Sequence, residues 1–260
     1  MINRLKMIYL AAIFLFLYAP IGILIAQSFN ESRYRGHWTG FTFKWYESLF
    51  ENENIFEALS NTVSIGFFSA LIATIFALIT CIALREFGKK RRAVFMSVAN
   101  IPILNADIVT GISLMLLFIG AGLRLGYETI LIAHIVFNIP YVMLCIMPQL
   151  VSLDKSFYEA ALDLGASPFQ AFTKVILPEM RPSIFAGFLL AFTMSADDFI
   201  ITYFTKGAGV DTLPTEIYSE LKLGIHPEMY ALSTLVFFFV LIFVVLFAMT
   251  RKHLADKEVF

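Results

Sequence analysis

Residues 156–178 read Ser156-Phe-Tyr-Glu159-Ala-Ala-Leu-Asp-Leu-Gly165-Ala-Ser167-Pro-Phe-Gln170-Ala-Phe-Thr-Lys-Val175-Ile-Leu-Pro178. Ser156 followed three residues later by Glu159 is a capping-box pattern, in which the serine caps a helix start and the glutamate reaches back. Ala160, Ala161 and Leu162 continue as good helix formers. Gly165 is placed to end that helix in a left-handed turn. Ser167-Pro168-Phe169-Gln170 repeats the capping pattern, with Pro168 at the first helical position. A second short helix is expected to about Ile176, with Leu177-Pro178 stopping it. The loop, about residues 149–181, therefore reads as two short, individually capped helices around a tight turn, a segment built to hold a shape.

What lies on either side of this loop is apolar. The chain is 59% hydrophobic and only 15% charged, with 28 phenylalanines and a mean hydropathy of +0.78. Soluble domains carry roughly 45–50% apolar and 25% charged residues, so water is not the solvent for most of this chain. A membrane-crossing helix needs about 20 mostly apolar residues. Six stretches qualify: Met7–Gln27, Val63–Leu84, Ala93–Ile119, Ile130–Met147, Ile184–Phe204 and Tyr230–Met249. In lipid the backbone must satisfy its own hydrogen bonds, so these are read as helices. The fold class expected is all-α and integral to the membrane, with residues 1–260 as one transmembrane domain. The first stretch exceeds a signal-peptide core in length and reads as an uncleaved span.

Lysine and arginine set the orientation, because cytoplasmic loops carry the excess. With the N-terminus inside, thirteen basic residues fall on inside segments. They are Arg4 and Lys6, Arg85 with the run Lys89–Arg92, Lys155, Lys174, Arg181, Arg251, Lys252 and Lys257. Six fall outside: Arg33, Arg35, Lys44, Arg124, Lys206 and Lys222. Both termini and the 149–181 loop are thus expected in the cytoplasm. The first outside segment holds Trp38, Phe41, Phe43, Trp45 and Tyr46, residues that favour the headgroup level, and a short helix lying along the membrane is expected there. Cys81 and Cys145 sit in apolar runs and read as small buried hydrophobes, not as a disulfide or metal ligands. No metal site is expected.

An ordered loop on the cytoplasmic side calls for a soluble partner. Glu159-Ala160-Ala161, a gap of three, Gly165, a gap of nine, and Val175-Ile176-Leu177-Pro178 resemble the EAA loop of ABC-importer permeases, departing only in Val175 for isoleucine. The resemblance implies a type I permease whose loop forms the coupling helix on an ATPase subunit, with Glu159, Ala160, Ala161, Gly165, Leu177 and Pro178 as its signature. The chain has no G-x-x-x-x-G-K-[ST] loop of its own, Gly88-Lys89-Lys90 not being one. ATP and magnesium are therefore expected on a partner and no cofactor on this chain, which is not read as an enzyme.

Three acids lie inside the spans. An Asp at the centre of a membrane helix costs about 2.5–3.5 kcal/mol on the insertion scale, and such residues mark pathways. Asp107 stands about 21 Å along the third span from Ala93, and Asp197 about 24 Å along the fifth from Arg181, at 1.5 Å per residue. Asp107, Asp197 and Asp198 thus share one level, beside a third helix interrupted at Pro102 and Asn105. No basic residue in the spans is expected to neutralise them. His134 lies near an outer edge, where it could neutralise them only partly, and like His37 and His226 it reads more readily as a polar filler than as a ligand. A layer of unpaired acids suits a cation, with Ser195 as a hydrogen-bond acceptor and Phe199, Tyr203 and Trp45 for cation–π contacts. The competing reading is that one Asp of the pair serves the structure.

Phe43-Lys-Trp-Tyr46, Ala58-Leu-Ser-Asn-Thr62, Met194-Ser-Ala-Asp-Asp-Phe199 and Leu213-Pro-Thr-Glu-Ile-Tyr218 extend the resemblance across the chain, to the PotC-type permeases of spermidine/putrescine importers. It implies a second, PotB-like permease subunit, two PotA-like ATP-binding subunits, an extracytoplasmic polyamine-binding protein, and the bacterial cytoplasmic membrane as the location. A type I permease for thiamine or Fe³⁺ carries the same loop. An intramembrane aspartyl protease also places acids on two helices, but Asp107 and Asp198 lack its Tyr-Asp and Gly-x-Gly-Asp contexts. An ATPase-independent transporter would leave the loop unexplained.

Overall fold

The computed structural model describes residues 2–33, 37–224 and 226–255, and every element among them is helical apart from one isolated antiparallel bridge between Asn30 and Phe41. Arg35 and Lys257 of the charge count lie outside the described residues, as do the side chains of Arg4, Lys155, Arg251 and Lys252. Four helices are long and apolar enough to cross a membrane: Lys6–Ser28, Glu53–Arg85, Tyr127–Ser152 and Pro168–Ala196. Asp107–Gly120 and Pro227–Ile242 are shorter apolar helices. The outward faces are oily, with Leu15, Phe16 and Phe239 largely exposed. A soluble monomer rarely leaves apolar surface on this scale to water.

The chain divides into two compact units. The first comprises Met1–Phe56 and Ile217–Phe260. In it α1 (Ile2–Ser28) and the short α2 (Lys44–Glu51) pack along α13 (Pro227–Ala255), which follows α12 (Leu213–Leu223) in the chain. The expected short helix after the first span is therefore present. Asn30 organises the turn before it. Its amide donates to the His37 carbonyl at 2.8 Å and its Oδ1 accepts from the Thr39 N–H at 3.1 Å. Glu228 on α13 accepts from Ser48 Oγ at 2.5 Å and Asn52 Nδ2 at 3.1 Å.

The second unit, Glu57–Glu216, is built on α3 (Glu53–Arg85), α7 (Tyr127–Ser152) and α10 (Leu177–Ala196). Ala70, Ala73, Ala77 and Cys81 recur at helical spacing on α3 and are fully buried. Ala70, Ala77 and Cys81 pack with Val142, Met143 and Ile146 of α7 and Met180 and Ala191 of α10. Small residues let membrane helices approach closely, and van der Waals packing then holds them. Gly187 on α10 is part of that approach, since a Cβ there would lie 2.9 Å from Val142 Cγ1.

The third and fifth apolar stretches read from the sequence are both broken. The stretch Ala93–Ile119 becomes α4 (Lys89–Ala99), α5 (Ile101–Leu104) and α6 (Asp107–Gly120). Asn105 and Ala106 run extended between the last two, at the interruption read from the sequence. The fifth stretch breaks without proline or glycine at the break. α10 ends at Ala196, and α11 (Ile200–Thr205) begins after Asp197-Asp198-Phe199.

Candidate functional site

Both breaks carry carboxylates into one place. Asp107 opens α6, and Asp197 and Asp198 fill the gap between α10 and α11. With Phe137 and Tyr141 of α7, Met194 of α10 and Phe199, they line an open cavity of ≈ 410 Å³ within the second unit. Gly111 lets α11 lie against α6, because a Cβ on it would sit 3.3 Å from Ile201 Cα and 3.1 Å from Phe204 Cδ2. Thr129 fastens the other end of α11, donating to the Thr205 carbonyl at 2.8 Å.

The two adjacent acids have different surroundings. The Asp198 carboxylate accepts from the backbone N–H of Ile201 at 3.3 Å and of Thr202 at 2.8 Å, and from Thr202 Oγ1 at 2.9 Å. It satisfies the first donors of α11, which a helix otherwise leaves open. His134 Nε2 lies 3.4 Å from Asp198 Oδ2 and 2.9 Å from Thr202 Oγ1. Among the described residues the Asp107 and Asp197 carboxylates, by contrast, have no hydrogen-bond or ion-pair partner on another residue, and both are exposed. Asp107 stands in the first turn of α6, where the positive end of the helix dipole favours a negative charge.

Two expectations are corrected here. A basic group does meet the acids, because His134 is 1% exposed and stands against Asp198. Ser195 is 4% exposed and is bonded to His134 Nδ1 at 2.5 Å, so it faces the imidazole behind Asp198 and not the cavity. Ser69 Oγ donates to Ser195 at 3.1 Å, and Asn138 Nδ2 lies 3.4 Å from Ser69. Trp45 belongs to the first unit, where it is buried and its indole N–H donates to the Asn30 carbonyl at 2.6 Å. The residues that line the cavity all belong to the second unit. The sequence reading missed Phe137, Tyr141 and Met194. His134, Phe137 and Tyr141 recur at i, i+3 and i+7 on α7, the spacing of one helix face, and that was their signal.

The 149–181 loop folds as two helices about Gly165, which has φ +85°. The first, α8 (Lys155–Asp163), is capped two residues earlier than expected. Asp154 is its N-cap and accepts from the Ser156 N–H at 3.0 Å, so the Ser156–Glu159 box is not the cap. That hydrogen bond holds the Asp154 carboxyl below the usual carboxylate range. The second box is present as read. Ser167 Oγ accepts from the Gln170 N–H at 3.3 Å, Gln170 Oε1 accepts from the Ser167 N–H at 3.0 Å, and Pro168 starts the helix α9 (Pro168–Ala171).

Leu177-Pro178 does not stop that helix. α9 passes through a wide π turn at Phe172–Ile176 directly into α10. A proline leaves the carbonyl four residues back unpaired, and the wider turn before Pro178 absorbs the defect. Glu159 and Ala160 are exposed, Ala161 half-buried, and Leu177 and Pro178 half-buried. Leu164 and Phe169 are 89% and 75% exposed at the tip. Glu159 also borders a second cavity, of ≈ 450 Å³, with Arg85, Glu86, Tyr158 and an apolar floor.

Known proteins resemble the chain over most of its length. The family described as binding-protein-dependent transport system inner membrane component matches residues 71–253. The spermidine/putrescine transport system permease protein PotC of Haemophilus influenzae is 39% identical over 246 residues, 94% of this chain and 96% of that protein. The putrescine transport system permease protein PotI of Escherichia coli is 37% identical, over 86% of this chain and 82% of its own length. Among solved structures, a chain of a bacterial ABC transporter involved in import of the acidic polysaccharide alginate aligns with a TM-score of 0.71 at 18% identity, over 96% of this chain and 95% of that one.

Proposed function

The chain belongs to the family of binding-protein-dependent transport system inner membrane components, and on that premise we propose that it is the permease subunit of an ATP-driven importer moving spermidine and putrescine across the bacterial cytoplasmic membrane. It works as one permease domain with six spans: α1, α3, α4–α6, α7, α9–α11 and α13. Both termini face the cytoplasm, as the distribution of lysine and arginine supports. Its partners are a second, PotB-like permease, two PotA-like ATP-binding subunits and an extracytoplasmic polyamine-binding protein. ATP and magnesium stay on the ATP-binding subunits.

The observation that carries the substrate class is the pair of unpartnered carboxylates, Asp107 and Asp197, on one cavity walled by Phe137, Tyr141 and Phe199. Such a layer repels an anion. It suits a flexible cation whose ammonium groups meet carboxylates while its methylenes lie on aromatic rings, which add cation–π attraction. An open cavity with solvated acids holds the cation loosely enough to release it. The receptor delivers the polyamine from outside. Closure of the ATPase dimer moves the loop from Glu159 to Pro178, and the helices rock so that the cavity opens to the other side. The exposed Leu164 and Phe169 supply apolar contact for that docking, and the capped helices transmit motion without melting.

Uptake of labelled putrescine by the whole transporter in proteoliposomes tests the reading. Replacing Asp107 or Asp197 by Asn removes a charge-assisted hydrogen bond, about 1.5–3 kcal/mol. The rate is expected to fall about tenfold or more, while the co-purifying subunits stay in place. Unchanged uptake in both variants would remove these acids from the path.

A further inference from the structure

Asp197 and Asp198 are neighbours in sequence, yet only one of them faces the cavity without a partner. Asp198 is held on four sides: the amides of Ile201 and Thr202, the Thr202 hydroxyl and the His134 imidazole. A carboxylate so occupied has few lone pairs left for an incoming ammonium. The Thr202 hydroxyl has one proton, which goes to Asp198, so its oxygen accepts from His134. This assigns the imidazole proton to Nε2, on the Asp198 side, and leaves Nδ1 against Ser195. The ring is packed edge-on against Phe137, a cavity wall, at 5.2 Å between centroids.

We infer that Asp198 and His134 are positioning residues and not substrate ligands: together they cap α11 and hold the fifth span broken, which is what turns Asp197 toward the cavity opposite Asp107. The inference rests on the polyamine-path reading above and divides its acids by role. The polycation then meets two free carboxylates, not three. α10 would otherwise continue through Asp197 as a regular helix, since no proline or glycine ends it. Capping of α11 by Asp198 competes with that continuation. His134, anchored through Ser195 to Ser69 on α3, ties the break to the rest of the unit.

Asparagine separates the two roles in part, because at Asp198 it keeps one acceptor oxygen for the Thr202 amide and hydroxyl but loses the charge and the second acceptor. The whole transporter, purified through this chain and reconstituted, is assayed for uptake of labelled putrescine and spermidine, with subunit co-purification as the check on assembly. Asp198→Asn, which keeps one acceptor for the Thr202 amide, is expected to lose uptake of both clearly less than Asp197→Asn does, while Asp198→Ala, which loses every bond to α11, falls about tenfold or more. Asp197→Asn falls about tenfold or more despite its preserved shape. Where Asp198→Ala fails to assemble, Asp198→Asn against Asp197→Asn still decides. Equal losses in those two would make Asp198 a substrate ligand and overturn the inference alone. Parent-like uptake in Asp198→Ala would overturn the positioning role. Parent-like uptake in both Asp107→Asn and Asp197→Asn would instead bring down the path reading beneath it.

Discussion

The 149–181 loop and the broken-helix cavity are both held by polar bonds, but over very different distances along the chain. In the loop the capping partners are two or three residues apart, Asp154 with Ser156 and Ser167 with Gln170. Around the cavity His134 bonds residues 61 and 68 positions away, and Ser69 reaches Ser195 across 126. The loop's caps therefore form locally, while Tyr158, Phe172 and Ile176 join it to the core of the unit. The cavity exists only once α3, α7, α10 and α11 have assembled. A change in the loop should cost one cap, whereas a change in the cavity network strands several groups together.

His134→Leu is the harshest test of that contrast. Leucine fills much of the space but leaves Ser195, Thr202 and Asp198 short of a partner in a buried place. Each buried group left without its hydrogen-bond partner costs about 1–3 kcal/mol, so the three together cost several. The transporter in detergent is expected to melt roughly 10 °C lower, at 2–4 °C per kcal/mol for a chain of this size. A shift of a degree or two would mean that apolar packing alone holds the cavity, and the contrast would fail.

Gly187→Leu probes the packing that brings the network together. The added Cβ would lie 2.9 Å from Val142 Cγ1 and 3.4 Å from Cys145 Cβ. Overpacking of this kind costs about 1–3 kcal/mol. Val142→Ala in the same chain makes room and should restore part of the loss. If it does not, the α7–α10 approach at Gly187 is looser than the geometry implies.

The same difference in range explains what could be read from the residues alone. Gly165 with its positive φ and the Ser167–Gln170 box were legible because each is settled within a few residues. Even there the first cap was misplaced, since Asp154 precedes the serine that fits the familiar pattern. The acids announced themselves through the cost of placing Asp in lipid, and the structure brings all three to one cavity. What separates Asp197 from Asp198 was not legible, because it depends on His134 some 64 positions earlier in the chain. Nor was the end of α10 at Ala196: a side chain that satisfies the next helix's amides makes that break, with no proline or glycine to mark it. Conversely Pro178 looked like a stop, and a π turn before it let the helix run on.

Ser167→Ala should be milder. It removes one side-chain cap from an exposed helix start, at about 1 kcal/mol. Amide exchange at Gln170 should quicken about fivefold, with that at Val142 and Met143 in the core unchanged. Quickening in the core as well would show that the effect of the cap is not local.

Smallest is the acid response of Asp154. Its carboxyl is held low by the Ser156 N–H, so the folded group gives up its proton more readily than the unfolded one. The stabilisation is then fully present above the ordinary carboxylate value, about 3.9, and is lost as pH falls through the lower folded value. Protonation of a fully exposed cap should loosen only the first turn of α8. A carbon-13 titration of the Asp154 carboxyl should give a midpoint below the ordinary value. Ser156→Pro, which removes the donor at a position where the first turn of a helix tolerates proline, should return it upward. Were the midpoint unmoved by Ser156→Pro, the bond would not be the cause, and α8 would have to draw its start from contacts outside the loop, like the helices around the cavity.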